Sequence, residues 1–477
     1  MAARPTPAAQ ASAPHDPTAA TARAREDRLP LRIKLGYGIG ELVVGIRMSS
    51  MNLVLFPFYT DVAQLTPALV GAAIALGKVW DGANDPIIGY LSDQTRTRWG
   101  RRRPYLLISA LPLALSFAAL WRPPLGVSQA ALFWYLFGAL FVLDVFFGFY
   151  STPYLALGAE MSPSYDERTR VAAIRAVFHN VGLLLGGAIL IGVARALGDG
   201  AVGHAGAGSI FGAVMAVAAL VAFFGSREPG LAPREVAPSL RQFVGELRDS
   251  LRLRSFRLLL GSFAFLLAGS ALNQSFALYV FRDAMGTEGR QAVMLLVYLA
   301  AATLSFPGWA AIATRLGKNR AFEVCLAWSI AALCASPIIG PALPFWVVLG
   351  FITLAGLGVG GYVLPVAIVA DIFDEDELAT GRRREGSYFG VWTLVMKLAS
   401  AVGVALAGFV LPWIGYVPGA ASQSPATITA LKLVWGPGAA FFVLATLLVF
   451  RRFPLTRERH VEIQQQLAER HLARAER

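Results

Sequence analysis

Lys78-Val79-Trp80-Asp81-Gly82-Ala83-Asn84-Asp85-Pro86-Ile87-Ile88-Gly89 lies inside an apolar stretch, 65–92. On a helix Asp81 and Asp85 share one face, ~6 Å apart along the axis, with Asn84 beside them. An acid at mid-membrane depth costs at least ~2.5 kcal/mol, so such acids face a cavity or a partner and serve a function. Two carboxylates and an amide oxygen are hard ligands for a small cation. Alternatively, two repelling carboxylates share a proton. The plainer reading is an internal salt bridge from Lys78, three residues before Asp81.

The surroundings of this stretch are those of a membrane protein. The chain has 477 residues, 56% apolar and 15% charged, against about 25% charged in soluble domains. Twelve spans of ~20 residues need about 240 apolar residues, which the chain can supply. Disordered chains, secreted disulfide scaffolds and ordinary cytosolic enzymes are excluded. Cys325 and Cys334 lie nine apart in one apolar span, on opposite helix faces, so they do not bridge each other.

The net charge of +12 is explained by position rather than by nucleic acid. Of 42 Lys and Arg, 33 fall in segments assigned to one side, four on the other and five within spans. Basic loops mark the cytoplasmic side, so both termini are expected there. Apolar spans fall at about 35–60, 65–92, 104–121, 129–159, 171–195 and 206–225. Six more fall at 256–282, 288–313, 320–340, 344–372, 387–415 and 428–450. The expected plan is all-α: a cytoplasmic tail at 1–31, a six-helix half at 32–225, a linker at 226–255, a second half at 256–450 and an exposed charged tail at 451–477. The halves echo each other. Gly89 to Asp93 and the basic run Arg96–Arg103 follow the second span, and Gly308 with Arg315, Lys318 and Arg320 follows the eighth.

Gly89-x-x-x-Asp93 with its basic cluster resembles the loop signature of the major facilitator superfamily. Lys78 to Gly89 resembles the second helix of the glycoside–pentoside–hexuronide cation symporters, the melibiose permease family. Lys34 to Asp61 is similar to the first helix of that family. Pro153 to Arg170 is similar to the fourth helix and its loop, and Ala370 to Lys397 to helices ten and eleven. The likeness covers about 32–450. It implies a twelve-helix major facilitator fold and cation-coupled transport of a sugar or glycoside, with Asp81, Asn84 and Asp85 holding the ion. If the ion is Na⁺, those residues are its ligands. The family's hydroxyl on helix four falls near Gly148, with Ser151 close by. Its galactoside-binding carboxylates fall on Gly45 and Ser151 and its stacking tryptophan on Leu155, so a galactoside grip is missing. Animal relatives carry lysolipids, which leaves a lysolipid or anionic amphiphile as the alternative cargo.

Other side chains join this reading. Lys397 sits in span eleven, and a buried ammonium needs a negative partner, for which Asp81 and Asp85 are the natural choice. Arg47 and Asp144 are candidates for an interhelical pair or for substrate contacts, Arg47 suiting a carboxylate or phosphate. Arg175 matches a substrate-pocket arginine of the family, and Trp392 and Thr393 lie one turn before Lys397. Tyr37, Tyr150, Asn273, Gln274 and Tyr279 are weaker candidates. Asp93, Arg168 and Arg170 on one half and Asp371, Asp374, Glu375, Asp376 and Glu377 on the other are expected to form an inner gate. No Walker loop, His/Cys metal cluster or Gly-x-Ser-x-Gly occurs, so an enzyme or a receptor without translocation is the remote alternative. The expected partners are a small solute and lipid, with no cofactor beyond the coupling ion, no nucleic acid, and function as a monomer in a bacterial inner membrane.

Overall fold

The computed structural model describes residues 29–162, 164–228, 245, 248–287, 289–381, 385–420 and 422–475. The tail through residue 28, most of the linker, and Arg382, Arg383 and Arg384 lie outside the described residues.

The chain folds as long helices: α1 Leu31–Val62, α2 Pro67–Gln94, α3 Arg103–Leu120, α4 Gln129–Glu160, α5 Glu167–Ala196 and α6 Gly200–Gly225. They continue with α7 Arg254–Ala284, α8 Gln291–Leu316, α9 Lys318–Ile338, α10 Phe345–Thr380, α11 Glu385–Trp413, α12 Pro425–Phe450 and α13 Arg457–Ala475. Among the described residues, eleven helices are long and apolar enough to cross a membrane. The exception among α1–α12 is α2. At 28 residues it is long enough, but Lys78, Asp81, Asp85 and Asp93 lower its hydropathy. Those charges are sheltered by packing, since α2 lies against α4 on one side and α11 on the other.

Small residues let these helices approach closely, as membrane interfaces require. At the α2–α11 crossing Gly71 faces Gly408, where a β-carbon on Gly71 would fall 3.1 Å from the Gly408 Cα. This helix pair joins the two halves of the chain, and its contact runs on to the acid pair, where Gly82 faces Leu394 and Lys397. One apolar core gathers α1, α3, α4 and α6 and continues through Tyr279 and Met294 into α7 and α8. A second belongs to α7 and α9–α13.

Glu228, where the linker begins, caps α3. Its carboxylate accepts the backbone N–H groups of Arg101, Arg102 and Arg103 at 2.8, 3.0 and 3.3 Å, completing donors that a helix start leaves open. The closing helix is docked rather than exposed throughout. Ile463 and Leu467, one turn apart, are buried in the second core, and His460 Nε2 lies 3.0 Å from Asp374 Oδ2. Its charged face hides this apolar stripe from a hydropathy reading.

Candidate functional site

Midway along α2, Asp81 and Asp85 meet Lys397 of α11. The ammonium lies 3.0 Å from Asp81 Oδ2 and donates to Asp85 Oδ2 at 2.7 Å and to the Asp81 carbonyl at 2.9 Å. One side chain from the second half thus bridges both acids of the first. Arg47 of α1 pairs with Asp144 of α4, reaches Asp81 Oδ1 at 3.9 Å and lies over the Phe147 ring at 4.0 Å. Lys78 lies within electrostatic reach of Arg47, Asp81, Asp144 and Lys397. Three carboxylates therefore converge with three basic groups, and their formal charges cancel.

The local donor set has one gap. Asp81 Oδ1 is buried and accepts no hydrogen bond. Asn84 donates its amide N–H to the Asp144 carbonyl at 3.1 Å, which leaves the amide oxygen as an acceptor. A buried carboxylate oxygen without a donor suits a small cation, and the Asn84 amide oxygen, three residues on along the helix, is a second, neutral acceptor. Ser151 is buried on α4, but the hydroxyl that reaches Asp85 is its neighbour's: Thr152 Oγ1 donates to Asp85 Oδ1 at 3.4 Å. Only the orientation of α4 separates the two, and sequence spacing does not fix that.

Gly148 makes room for this arrangement. A β-carbon there would fall 2.5 Å from Asn84 Nδ2 and 2.7 Å from Ile88 Cδ1. Gly148→Val is expected to displace Asn84, cost about 1–3 kcal/mol by overpacking, and lower the unfolding temperature in detergent. A transition unchanged from the parent would show that the crowding is relieved elsewhere.

The remaining candidates separate into distinct places. Arg175 Nε donates to Glu41 Oε2 at 2.8 Å, and His179 Nδ1 lies 3.4 Å from Glu41 Oε1, so α1 and α5 share a second polar cluster. Tyr37 and Tyr150 are buried beside it and donate to the carbonyls of Tyr154 and Gly40. Trp392 stacks on Phe263 in the second core with ring centres 4.8 Å apart, while Thr393 is exposed. Between α1 and α5 of the first half and α7–α10 and α12 of the second lies a cavity of about 420 Å³. Asn273 and Gln274 line it; Arg47, Asp81, Asn84, Asp85, Asp144, Ser151, Arg175, Trp392, Thr393 and Lys397 do not. Asn52 and Gln291, also at its wall, were missed from sequence, although a lone amide in an apolar span is a usable signal.

At the end of the molecule that holds the described start and finish of the chain, the gate candidates pair within their own halves. Arg102 pairs with Asp93, Arg170 with Glu167, and Lys318 with Asp371 at 2.6 Å. Arg168 is exposed, and neither it nor Arg170 is joined to Asp371 or Asp374 among the described residues. At the opposite end the halves are tied together. Asp61 of α1 meets Arg282 of α7 at 2.8 Å and accepts from the Tyr416 hydroxyl at 3.1 Å, with Thr60 and Tyr279 hydroxyls 2.5 Å apart. Asp61 and Arg282 escaped the sequence reading because charges at span ends are ordinary.

The chain matches the family model described as MFS/sugar transport protein over residues 36–457. It is 28% identical to an uncharacterized symporter of Synechocystis sp., covering 93% of this chain and 98% of the relative. It is 26% identical to sodium-dependent lysophosphatidylcholine symporter 1-A of Danio rerio, covering 91% and 88%. A putative glycoside/cation symporter of Escherichia coli, YagG, is 24% identical over 94% of this chain and 97% of its own. Among solved structures, the nucleoside transporter NupG superposes with a TM-score of 0.62 at 14% identity, covering 88% of this chain and 98% of that one. A helical architecture with at least eleven apolar spans, a matching fold and a family model spanning nearly the whole chain lead to one conclusion: this is a multi-pass membrane protein that belongs to the MFS/sugar transport family of the major facilitator superfamily, as the likeness to the glycoside–pentoside–hexuronide cation symporters implied.

Proposed function

We propose that the chain is a secondary active transporter that couples Na⁺ or H⁺ to uptake of a sugar or glycoside by alternating access. In this reading α1–α12 cross a bacterial inner membrane twelve times in two six-helix halves. The termini and the segment joining the halves are cytoplasmic, and the protein works as a monomer. Asp81, Asn84 and Asp85 take the cation, and the solute binds between the halves. Transport rather than catalysis is supported by the family match and by relatives named as symporters, one of them for glycosides and cations.

The observation that carries the proposal is the bridge from Lys397 to both α2 acids across the contact between the halves. A cation arriving at Asp81 Oδ1 competes with this ammonium for the charge of the same carboxylates, whose Oδ2 atoms the ammonium holds. Its capture weakens a tie between α2 and α11, so ion occupancy and the relative position of the halves are linked. Coupling requires reorientation to be favoured when ion and solute are both present or both absent.

The test is Asp81→Asn and Asp85→Asn in proteoliposomes, with a panel of sugars and glycosides under imposed sodium or proton gradients. Both variants should lose gradient-driven accumulation while gel filtration remains that of folded protein. Undiminished accumulation in both would remove the ion site from these residues.

A further inference from the structure

The cavity between the halves is lined entirely by uncharged side chains. Of the charged residues that adjoin its lining in sequence, Arg47 is committed to Asp144 and Arg282 to Asp61 and Asp283, while Arg290 lies over the Phe345 ring. We infer that this cavity binds an uncharged glycoside with an apolar aglycone, the sugar against α1 and α7 and the aglycone against α8–α10 and α12. The inference rests on the symport reading and narrows its cargo.

The wall is asymmetric. Asn52 on α1 and Ser270, Asn273 and Gln274 on α7 form a strip of neutral hydrogen-bonding groups. Part of it is already spent, since Asn273 donates its amide N–H to the Trp435 carbonyl at 2.7 Å. On α8–α10 and α12 the lining is mostly apolar, with Leu299, Leu333, Phe351, Ile352 and Val443, and its polar side chains, Gln291, Tyr298, Ser329, Ser336 and Tyr362, are set among them. The hydroxyls of Ser329 and Ser336 on that side donate to backbone carbonyls of their own helix. A bare monosaccharide would turn some of its hydroxyls toward this wall and leave them unpaired, a cost per group that an apolar substituent avoids. An ionised cargo fares worse, because no counter-charge lines the cavity. Its size, about 420 Å³, lies in the range of small-molecule pockets.

A second, independent feature marks the cavity. Four helices widen by one residue per turn where they border it: α1 at Ser50–Val54, α5 at Leu185–Ile189, α7 at Val280–Ala284 and α12 at Val434–Gly438. Asn52, Gly187, Phe281 and Trp435 lie in these turns and on the wall. Such wide turns interrupt the helix ladder and recur at functional sites.

Equilibrium binding to the purified full-length protein, with no gradient imposed, tests this. The probes are free hexoses, their 4-nitrophenyl glycosides, the 4-nitrophenyl glucuronide, and lysophosphatidylcholine. At least one neutral aryl glycoside should bind about tenfold or more tightly than its free sugar, and the glucuronide about tenfold or more weakly than that glycoside. Ala355→Phe, which fills the apolar side, should weaken the aryl glycoside and spare the free sugar. Gln274→Leu should blunt discrimination between sugar epimers. Equal binding of free and aryl sugars, preference for the glucuronide, tightest binding of the lysolipid, or no aryl glycoside binding would each overturn the inference. If a neutral aryl glycoside binds as expected but no ion gradient drives its accumulation, the symport reading fails and the assignment of the cavity stands.

Discussion

Lys397→Ala is expected to abolish gradient-driven uptake and to lower the unfolding temperature of the detergent-solubilised protein. Asp81 is 7% exposed and would keep Arg47, at 3.9 Å and already paired with Asp144, and the longer-range attraction of Lys78. Removing one partner of a buried ion pair costs about 3–5 kcal/mol; partial exposure of Lys397 places this case toward the lower value. The origin of the loss can be separated by neutralising the other side. Lys397→Ala combined with Asp81→Asn should recover most of the thermal stability, because the more deeply buried acid is then neutral and Asp85, with a side chain 31% exposed, keeps the Thr152 hydroxyl, yet it should not recover accumulation. Lys397→Arg keeps the charge but replaces a compact ammonium with a planar fork, and should fold normally while coupling poorly. If Lys397→Ala accumulates solute at the wild-type rate, the ammonium is a structural brace and the ion does not compete with it.

That long-range pair was legible in the sequence for a simple reason. A lysine deep in an apolar span must find a negative partner, and α2 presents two acids one turn apart in the middle of its span, whereas those of α10 fall at its end. Legible too were the helical architecture, the family and the pairing option for Asp144. The hydropathy that reveals the other spans is weakest in α2, because the ionisable residues that make it functional reduce its apolar character. What spacing could not supply is rotation of one helix against another. Ser151 and Thr152 are adjacent in sequence, and which of them reaches Asp85 depends on a turn of α4 by one residue's angle. Arg175 is similar: its type suggests substrate, but Glu41 one turn before Gly45 claims it across the α1–α5 contact. The cavity was least legible. Its wall is mostly ordinary apolar side chains from seven helices, and only their assembly makes a space.

The largest effect on conformation is expected at the end of the molecule where α1 meets α7 and the segment after α11. Asp61 is bound there to Arg282 and Tyr416, and its side chain is 9% exposed against 35% for Arg282. The tie joins the two halves, so it stabilises the state closed at that end and contributes nothing to one open there. With one partner a third exposed, its worth is about 1–3 kcal/mol, or roughly 5- to 150-fold in the balance between states. Asp61→Ala should therefore raise the rate at which a membrane-impermeant thiol reagent, added from that side, labels a cysteine placed at Gln274 in a background lacking Cys325 and Cys334. Asp61→Arg should raise it further by repelling Arg282, and Asp61→Arg with Arg282→Asp should return it toward the parent rate, since the exchanged pair restores attraction across the same gap. Acceleration in Asp61→Ala without rescue by the exchange would mean that the carboxylate acts through Tyr416 rather than through charge. An unchanged labelling rate in all three variants would show that the apolar packing of Tyr279 and Met294 alone holds this end shut.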